Sequence, residues 1–209
     1  NDRSTSGKRC GILSETGICS AKKNKKYAEA IDAYLKADTL KPDNIWNNRH
    51  LAICYRLNRN YQAALSYYKK VEEATPEDTN VIFHIGSCLA ELGQYEEAAN
   101  YFFKLDFIES NCIKAWRGIG WCSFISRKYE QAMKYYEKII EQKPLAIDYM
   151  NAGHVAWTMG DIQKAAALYG KSITANGNRE RFLEMFRKDK EALLKQGIQE
   201  EDIPLMLDL

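Results

Sequence analysis

No apolar run in this 209-residue chain approaches the roughly 18 residues a helix needs to cross a bilayer, so membrane insertion is not expected. The first residues, Asn1-Asp2-Arg3-Ser4-Thr5-Ser6, are polar and provide no apolar signal core. The chain does not begin with Met, which fits a piece excised from something longer. Its six cysteines form no CxxC and no compact disulfide pattern, and free thiols fit a reducing, cytoplasmic setting. There is no glycine-rich phosphate loop, no GxSxG elbow and no paired His–Glu metal motif, so no catalytic residue is nominated and no enzyme is expected. The carboxylates sit mainly among helix-surface charges, as at Glu96-Glu97 and Glu137-Lys138.

What remains is ordinary for a folded, water-facing protein: 45% apolar and 28% charged residues. The net charge of +2 is unevenly spread, because residues 1–26 hold seven basic residues against two acidic ones and the rest is net acidic. A basic arm can touch nucleic acid or anionic lipid. The later segments show no basic excess, so the arm is read as solvated and no nucleic-acid partner is expected.

One short pattern comes round five times. Tyr27, Tyr61, Tyr95, Tyr129 and Ile162 form one column. Ala30, Ala64, Ala98, Ala132 and Ala165 form a second, and Tyr34, Tyr68, Phe102, Tyr136 and Tyr169 a third. The spacings are 34, 34, 34 and 33, a period that marks stacked helical hairpins. Each unit is too small to bury its own apolar face, so neighbours must cover one another. In the unit 79–112, Val81, Ile82, Ile85, Gly86 and Leu89 fall at helical spacing. Leu92-Gly93-Gln94 interrupts, with Gly93 free to turn left-handed, and Tyr95 to Leu105 makes the second helix. Pro42, Pro76 and Pro144 close other units. Cys54, Cys88 and Cys122 share one register and are read as small buried hydrophobes.

These columns resemble the tetratricopeptide repeat. The small residue of the first helix is Ala52, Gly86, Gly120 and Gly153. The turns are Arg59-Asn60-Tyr61, Gly93-Gln94-Tyr95, Arg127-Lys128-Tyr129 and Gly160-Asp161-Ile162. Trp116 sits where the family favours a large aromatic, and packing is its expected role. The resemblance implies an all-α, right-handed superhelical solenoid of about 4.5 repeats plus a capping helix. The segments are 25–44 (partial), 45–78, 79–112, 113–145 and 146–176, then a C-terminal part at 177–209. Ser110 replaces a closing proline, and the unit after Pro144 is one residue short. Residues 1–24 match a first helix poorly, with Gly11, Ser14, Gly17 and Ser20 weakening it. A degraded helix, a loosely docked arm and two segments separated by absent residues all stay open there. The cap is expected over Arg181 to Leu194 with Gly197 ending it. A short helix from Ile203 to Leu209 follows, capped by Asp202, with Pro204 in its first turn.

In the family's arrangement the first helices line an inner curve. The matching positions are Trp46, Arg49, His50, Ile53 and Arg56, then Asn80, Phe83, His84, Ser87 and Ala90. Lys114, Arg117, Trp121 and Phe124 follow, and then Met150, Asn151, His154 and Trp157. Aromatics interleaved with cations suit a peptide carrying apolar anchors and acidic groups. The groove proper is assigned to Trp46, Arg49, Ile53, Arg56, Phe83, Ser87, Lys114, Arg117, Trp121, Phe124, Met150, His154 and Trp157. Some relatives clamp a chaperone's C-terminal carboxylate. The corresponding Arg49, Ile53, His84, Lys114 and Gly118 include only two basic residues, so that clamp is not expected. His50 with Cys54, and His84 with Cys88, place zinc-competent side chains one turn apart. Four ligands would have to converge across repeats about 10 Å apart, so neither metal nor cofactor is expected. The resulting function is a scaffold that binds a protein segment. Its rivals are a structural stretch of a longer or self-associating solenoid and a secretion-type chaperone.

Overall fold

A computed structural model describes residues 25–208, so the readings offered for residues 1–24 lie outside the described residues. Every regular element among the described residues is helical. A helix α1 runs over 25–40. It is followed by α2 (Ile45–Leu57), α3 (Tyr61–Ala74), α4 (Thr79–Glu91), α5 (Tyr95–Ile108) and α6 (Ile113–Ile125). Then come α7 (Tyr129–Ile140), α8 (Ala146–Thr158), α9 (Ile162–Asn176), α10 (Arg179–Lys195) and α11 (Asp202–Leu207). Among these residues no helix is long and apolar enough to cross a membrane.

The turn inside each hairpin repeats in atomic detail. Asn60, Gln94, Lys128 and Asp161 each donate a backbone N–H to the carbonyl five residues back: Tyr55 at 2.9 Å, Leu89 at 2.9 Å, Ser123 at 2.8 Å and Ala156 at 3.0 Å. These bonds satisfy carbonyls that a helix end would otherwise leave open. They require a left-handed residue just before the donor, and φ is 61° at Arg59, 78° at Gly93, 60° at Arg127 and 84° at Gly160. Glycine takes that conformation freely, whereas each arginine holds it against a Cβ penalty of about 1 kcal/mol. The next helix starts on a side-chain cap where the sequence supplies one. Asn60 accepts from the Ala63 N–H at 3.1 Å and Asp161 from the Lys164 N–H at 3.0 Å. The junction without proline closes another way: Asn111 after Ser110 turns left-handed (φ 61°), as Asp43 does after Pro42 (φ 55°).

The chain divides into two compact units, one up to Val81 and one from Ile82 onward. In the first, α2 packs on α3, and Leu51, Ala52, Ala64, Tyr68 and Val71 are sealed. Buried Asn47 ties α2 to α1, donating to the Tyr34 carbonyl at 3.1 Å and to Asp38 at 3.4 Å.

The second unit is built on an interlock between two of the sequence columns. A Cβ placed on Gly86 would lie 2.9 Å from the Phe102 ring, one on Gly120 2.9 Å from Tyr136, and one on Gly153 2.5 Å from Tyr169. The small column is therefore the socket and the aromatic column the plug, and no larger residue fits without moving a buried ring. Pairs of helices adjoin in series: α5 on α6, α6 on α7, α7 on α8 and α8 on α9, with α6 also touching α8. Cys88 and Cys122 are sealed, the latter with its thiol pushed up to about 12 by burial, whereas Cys54 is only half-buried. Trp116 is packed as expected, its Nε1 donating to Asp106 at 2.7 Å.

The cap, Arg179–Lys195, starts two residues before the expected Arg181 because Asn178 caps it by accepting from the Arg181 N–H, and it ends one residue later than expected. It packs on both α8 and α9, burying Phe182, Phe186 and Leu193. Gly197 (φ 101°) ends the turn after it. The last helix begins at Asp202 itself, with Glu201 in the cap position, so Asp202 is a first-turn residue and not the cap. Pro204 lies in that first turn as expected.

Candidate functional site

In the first unit, Trp46 stands 62% exposed at the start of α2. Its ring lies 3.9 Å from that of His50, and Tyr34 meets its edge at 5.9 Å. Ile53 is half-buried one turn further on. Arg56 donates from Nε to the Tyr68 hydroxyl at 3.3 Å. Arg49 is engaged within the fold: its guanidinium meets Asp78 at 2.8 Å. Asp78 also caps α4, accepting from the Asn80 N–H at 3.0 Å and the Val81 N–H at 3.1 Å. Burial alone would raise the Asp78 carboxyl, but the Val81 N–H, Arg49 and the Asn80 N–H outweigh it and hold it below the usual value. Its stabilising contribution is thus complete above the ordinary carboxylate range and fades as pH falls through its lowered folded value. Asp78→Asn is expected to flatten that acidic limb of a stability–pH curve followed by urea unfolding. An unchanged limb would remove Asp78 as its source.

In the second unit, the same staple recurs two periods on. Arg117 is held by Asp148 through Nε and an Nη, both at 2.7 Å. Asp148 is 1% exposed and also accepts from the Leu145 N–H at 2.7 Å, fastening the start of α8. That bond closes the junction that is one residue short after Pro144. The sequence offered a signal for both staples: Arg49 and Arg117 share a column, and an aspartate opens the next first helix each time.

Five of the expected groove residues converge here. Phe83 and Ser87 on α4 and Lys114, Arg117 and Trp121 on α6 line an open cavity of about 350 Å³, with Phe102 of α5 also lining it. Phe83 and Trp121 are half-buried, each keeping part of its ring accessible. Lys114 hangs 5.9 Å from the centroid of Phe83 and pairs with Glu109 at 3.2 Å, both charges well exposed. Gly118 makes room for this arrangement. A Cβ there would stand 2.5 Å from the Phe102 ring. The other repeats carry His50, His84 and Asn151 at that place. Phe102 and Gly118 were not expected in the site, and the break in that one column is the signal that points to them.

Four expected groove residues are corrected by the structure. Phe124 (1% exposed), Met150 (0%) and His154 (0%) are sealed, and Trp157 (5%) lies outside the groove cavity, lining instead an opening with Ile162 of α9 and Leu205 of α11. For His154 and Trp157 the cause is the cap. Phe186 of α10 reaches His154 at 5.2 Å and Trp157 at 6.5 Å between ring centroids. His154 Nδ1 sits 2.8 Å from the Tyr169 hydroxyl and its Nε2 3.5 Å from Asp189 of α10. Phe124 stacks on the His154 ring at 6.5 Å. The capping helix therefore closes the last first-helix face, and these aromatics serve packing. Burial, then the charge of Asp189, push the Tyr169 phenol well above its usual value, so it stays protonated.

His50 Nδ1 is turned to the Trp46 carbonyl at 2.7 Å. Among the described residues no three His, Cys, Asp or Glu side chains gather as a metal would require.

Models of the tetratricopeptide repeat match residues 55–122 and, separately, 19–44, 113–144 and 149–179, together more than half of the chain. Solved structures share the fold. MamA is 20% identical with a TM-score of 0.67, over 76% of this chain and 94% of that one. YrrB, described as a tetratricopeptide-repeat protein with an unusual peptide-binding site, is 20% identical with a TM-score of 0.66, over 85% and 88%. A tetratricopeptide repeat protein from Parabacteroides merdae is 19% identical with a TM-score of 0.59, over 98% and 85%. A search of curated proteins finds no significant match.

Proposed function

Because the chain belongs to the tetratricopeptide-repeat family, we propose that it is a non-enzymatic scaffold that captures a peptide segment of a protein partner at the α4–α6 cavity. The single observation that carries this reading is the cavity itself: apolar walls from Phe83, Phe102 and Trp121 with Lys114 at the rim. A volume of about 350 Å³ suits one large side chain, and burial of such an anchor drives association. Arg117 is held by buried Asp148, whereas the pair of Lys114 with Glu109 is exposed and readily exchanged, so Lys114 is the cation that can turn to an acidic neighbour of the anchor. The peptide-binding site described for YrrB, a protein of the same fold, is consistent with such a role. In the first unit, Trp46 offers a separate exposed ring of the kind that anchors partners.

Selection from a random peptide library on the immobilised chain tests this. Enriched peptides are expected to carry an aromatic or branched aliphatic residue beside Asp or Glu. Trp121→Ala should weaken their binding about tenfold or more, and Lys114→Glu should weaken it most at low salt. Both variants should keep the wild-type helical content, since both side chains are partly accessible. Peptides that bind the Trp121→Ala chain as well as the native one would dismiss this cavity as the site.

A further inference from the structure

The C-terminal end of the second unit carries a second apolar opening, away from the residues of the groove cavity. Trp157, Ile162, Asp202, Leu205 and Met206 line a cavity of about 380 Å³ between the α8–α9 hairpin and α11. Leu205 is 68% exposed and Ile162 44% exposed, so the opening continues into an accessible apolar surface. Its rim is acidic. Residues 196–209 include Glu200, Glu201, Asp202 and Asp208 and no basic residue. Lys190 engages Glu200 at 2.5 Å and Arg179 approaches Asp208 at 3.8 Å. Glu201 and Asp202 have no ion-pair partner among the described residues, and both are exposed.

The complementary chemistry lies in residues 1–26. Residues 1–26 hold seven basic residues against two acidic ones, with Ile12, Leu13 and Ile18 as apolar side chains among them. We infer that the α11 surface of one copy receives the basic segment 1–26 of a second copy. An isoleucine or leucine of the segment fills the Leu205–Trp157 cavity, and Lys22 and Lys23 face Glu201 and Asp202. The contact is heterologous, joining residues 1–26 of one copy to α11 of the next. Such contacts propagate beyond a dimer unless a ring closes. Attraction between exposed charges also makes the association salt-sensitive. Nothing in it depends on the α4–α6 cavity, so peptide capture and self-association stand or fall separately.

Sedimentation velocity on the full chain, from about 1 to about 200 µM in about 0.05 M salt, should show a mean mass that climbs past the dimer. Raising the salt to about 0.5 M should shift the midpoint at least tenfold to higher concentration. Leu205→Lys should leave a monomer with unchanged circular dichroism, because the side chain is already in water. Two charge reversals separate this pairing from generic stickiness. Glu201→Lys with Asp202→Lys, and Lys22→Glu with Lys23→Glu, should each leave a monomer alone, and mixing the two should restore association. A chain monomeric at every concentration overturns the inference, as would be found if the segment docked on its own copy. Association that survives Leu205→Lys overturns it too, and so does a mixture of the reversed chains that stays monomeric.

Discussion

Arg117→Ala is expected to cost about 3–5 kcal/mol of stability, lowering Tm by roughly 10 °C for a chain of this size. The reason is what the substitution leaves behind. Asp148 is 1% exposed and would keep only the Leu145 N–H as a partner at 2.7 Å. A carboxylate stranded in that position bears its desolvation without the guanidinium that offset it. Asp148→Ala strands the opposite charge. Arg117 is 33% exposed and can turn toward water, so that variant is expected to lose less than Arg117→Ala even though it also removes the bond at the start of α8. The double variant should recover part of the loss, which a double-mutant cycle on urea unfolding would read as a coupling of about 2 kcal/mol or more. Arg117→Ala with a Tm within a few degrees of the native chain would refute the staple. The same substitution is a poor probe of peptide capture, since a destabilised α6 weakens any site built on it; Trp121 and Lys114 are the cleaner positions.

Tyr169→Ala should be as damaging and damaging elsewhere. This ring is 3% exposed and sits in the Gly153 socket. It meets Phe182 at 5.6 Å and Phe186 at 5.8 Å on the cap. Removing a buried aromatic of this kind costs about 3–5 kcal/mol. In a repeat array such a loss stays with the neighbouring elements. Hydrogen exchange is expected to quicken in α8, α9 and α10 while α2 and α3 keep their native protection. Tyr169→Phe separates the ring from the hydroxyl: it loses only the 2.8 Å bond to His154 Nδ1, a cost of about 1–3 kcal/mol for a buried group left unpaired. Uniform quickening across all helices, or none at all, would show that Tyr169 does not fasten the cap.

The contrast between these residues and the groove shows where one-dimensional reading was strong. The hairpin turns were legible because they are local. Gly93 and Gly160 mark left-handed residues directly, and Arg59 and Arg127 take the same conformation because the repeat register places them there. The aromatic and small columns were legible because every repeat must solve the same packing problem, and Gly86, Gly120 and Gly153 each face the ring expected of them. The groove was harder. Position on the first helix put Phe83, Lys114, Arg117 and Trp121 on one inner face, and these four line a single cavity. The same rule failed for Met150, His154 and Trp157, because it assumes an open face and the last repeat does not have one, and for Phe124, whose ring is packed among Trp121, Tyr129 and His154.

The sequence by itself determined the all-helical repeat class and the columns that pack, because each follows from a period and from bonds between residues near in the chain. Which cations are spent on internal carboxylates, and which aromatics the cap covers, only the tertiary structure decided. Those outcomes turn on contacts between residues about 30 positions apart, such as Arg117 with Asp148 and His154 with Asp189, where a side chain's burial depends on what the neighbouring element places over it.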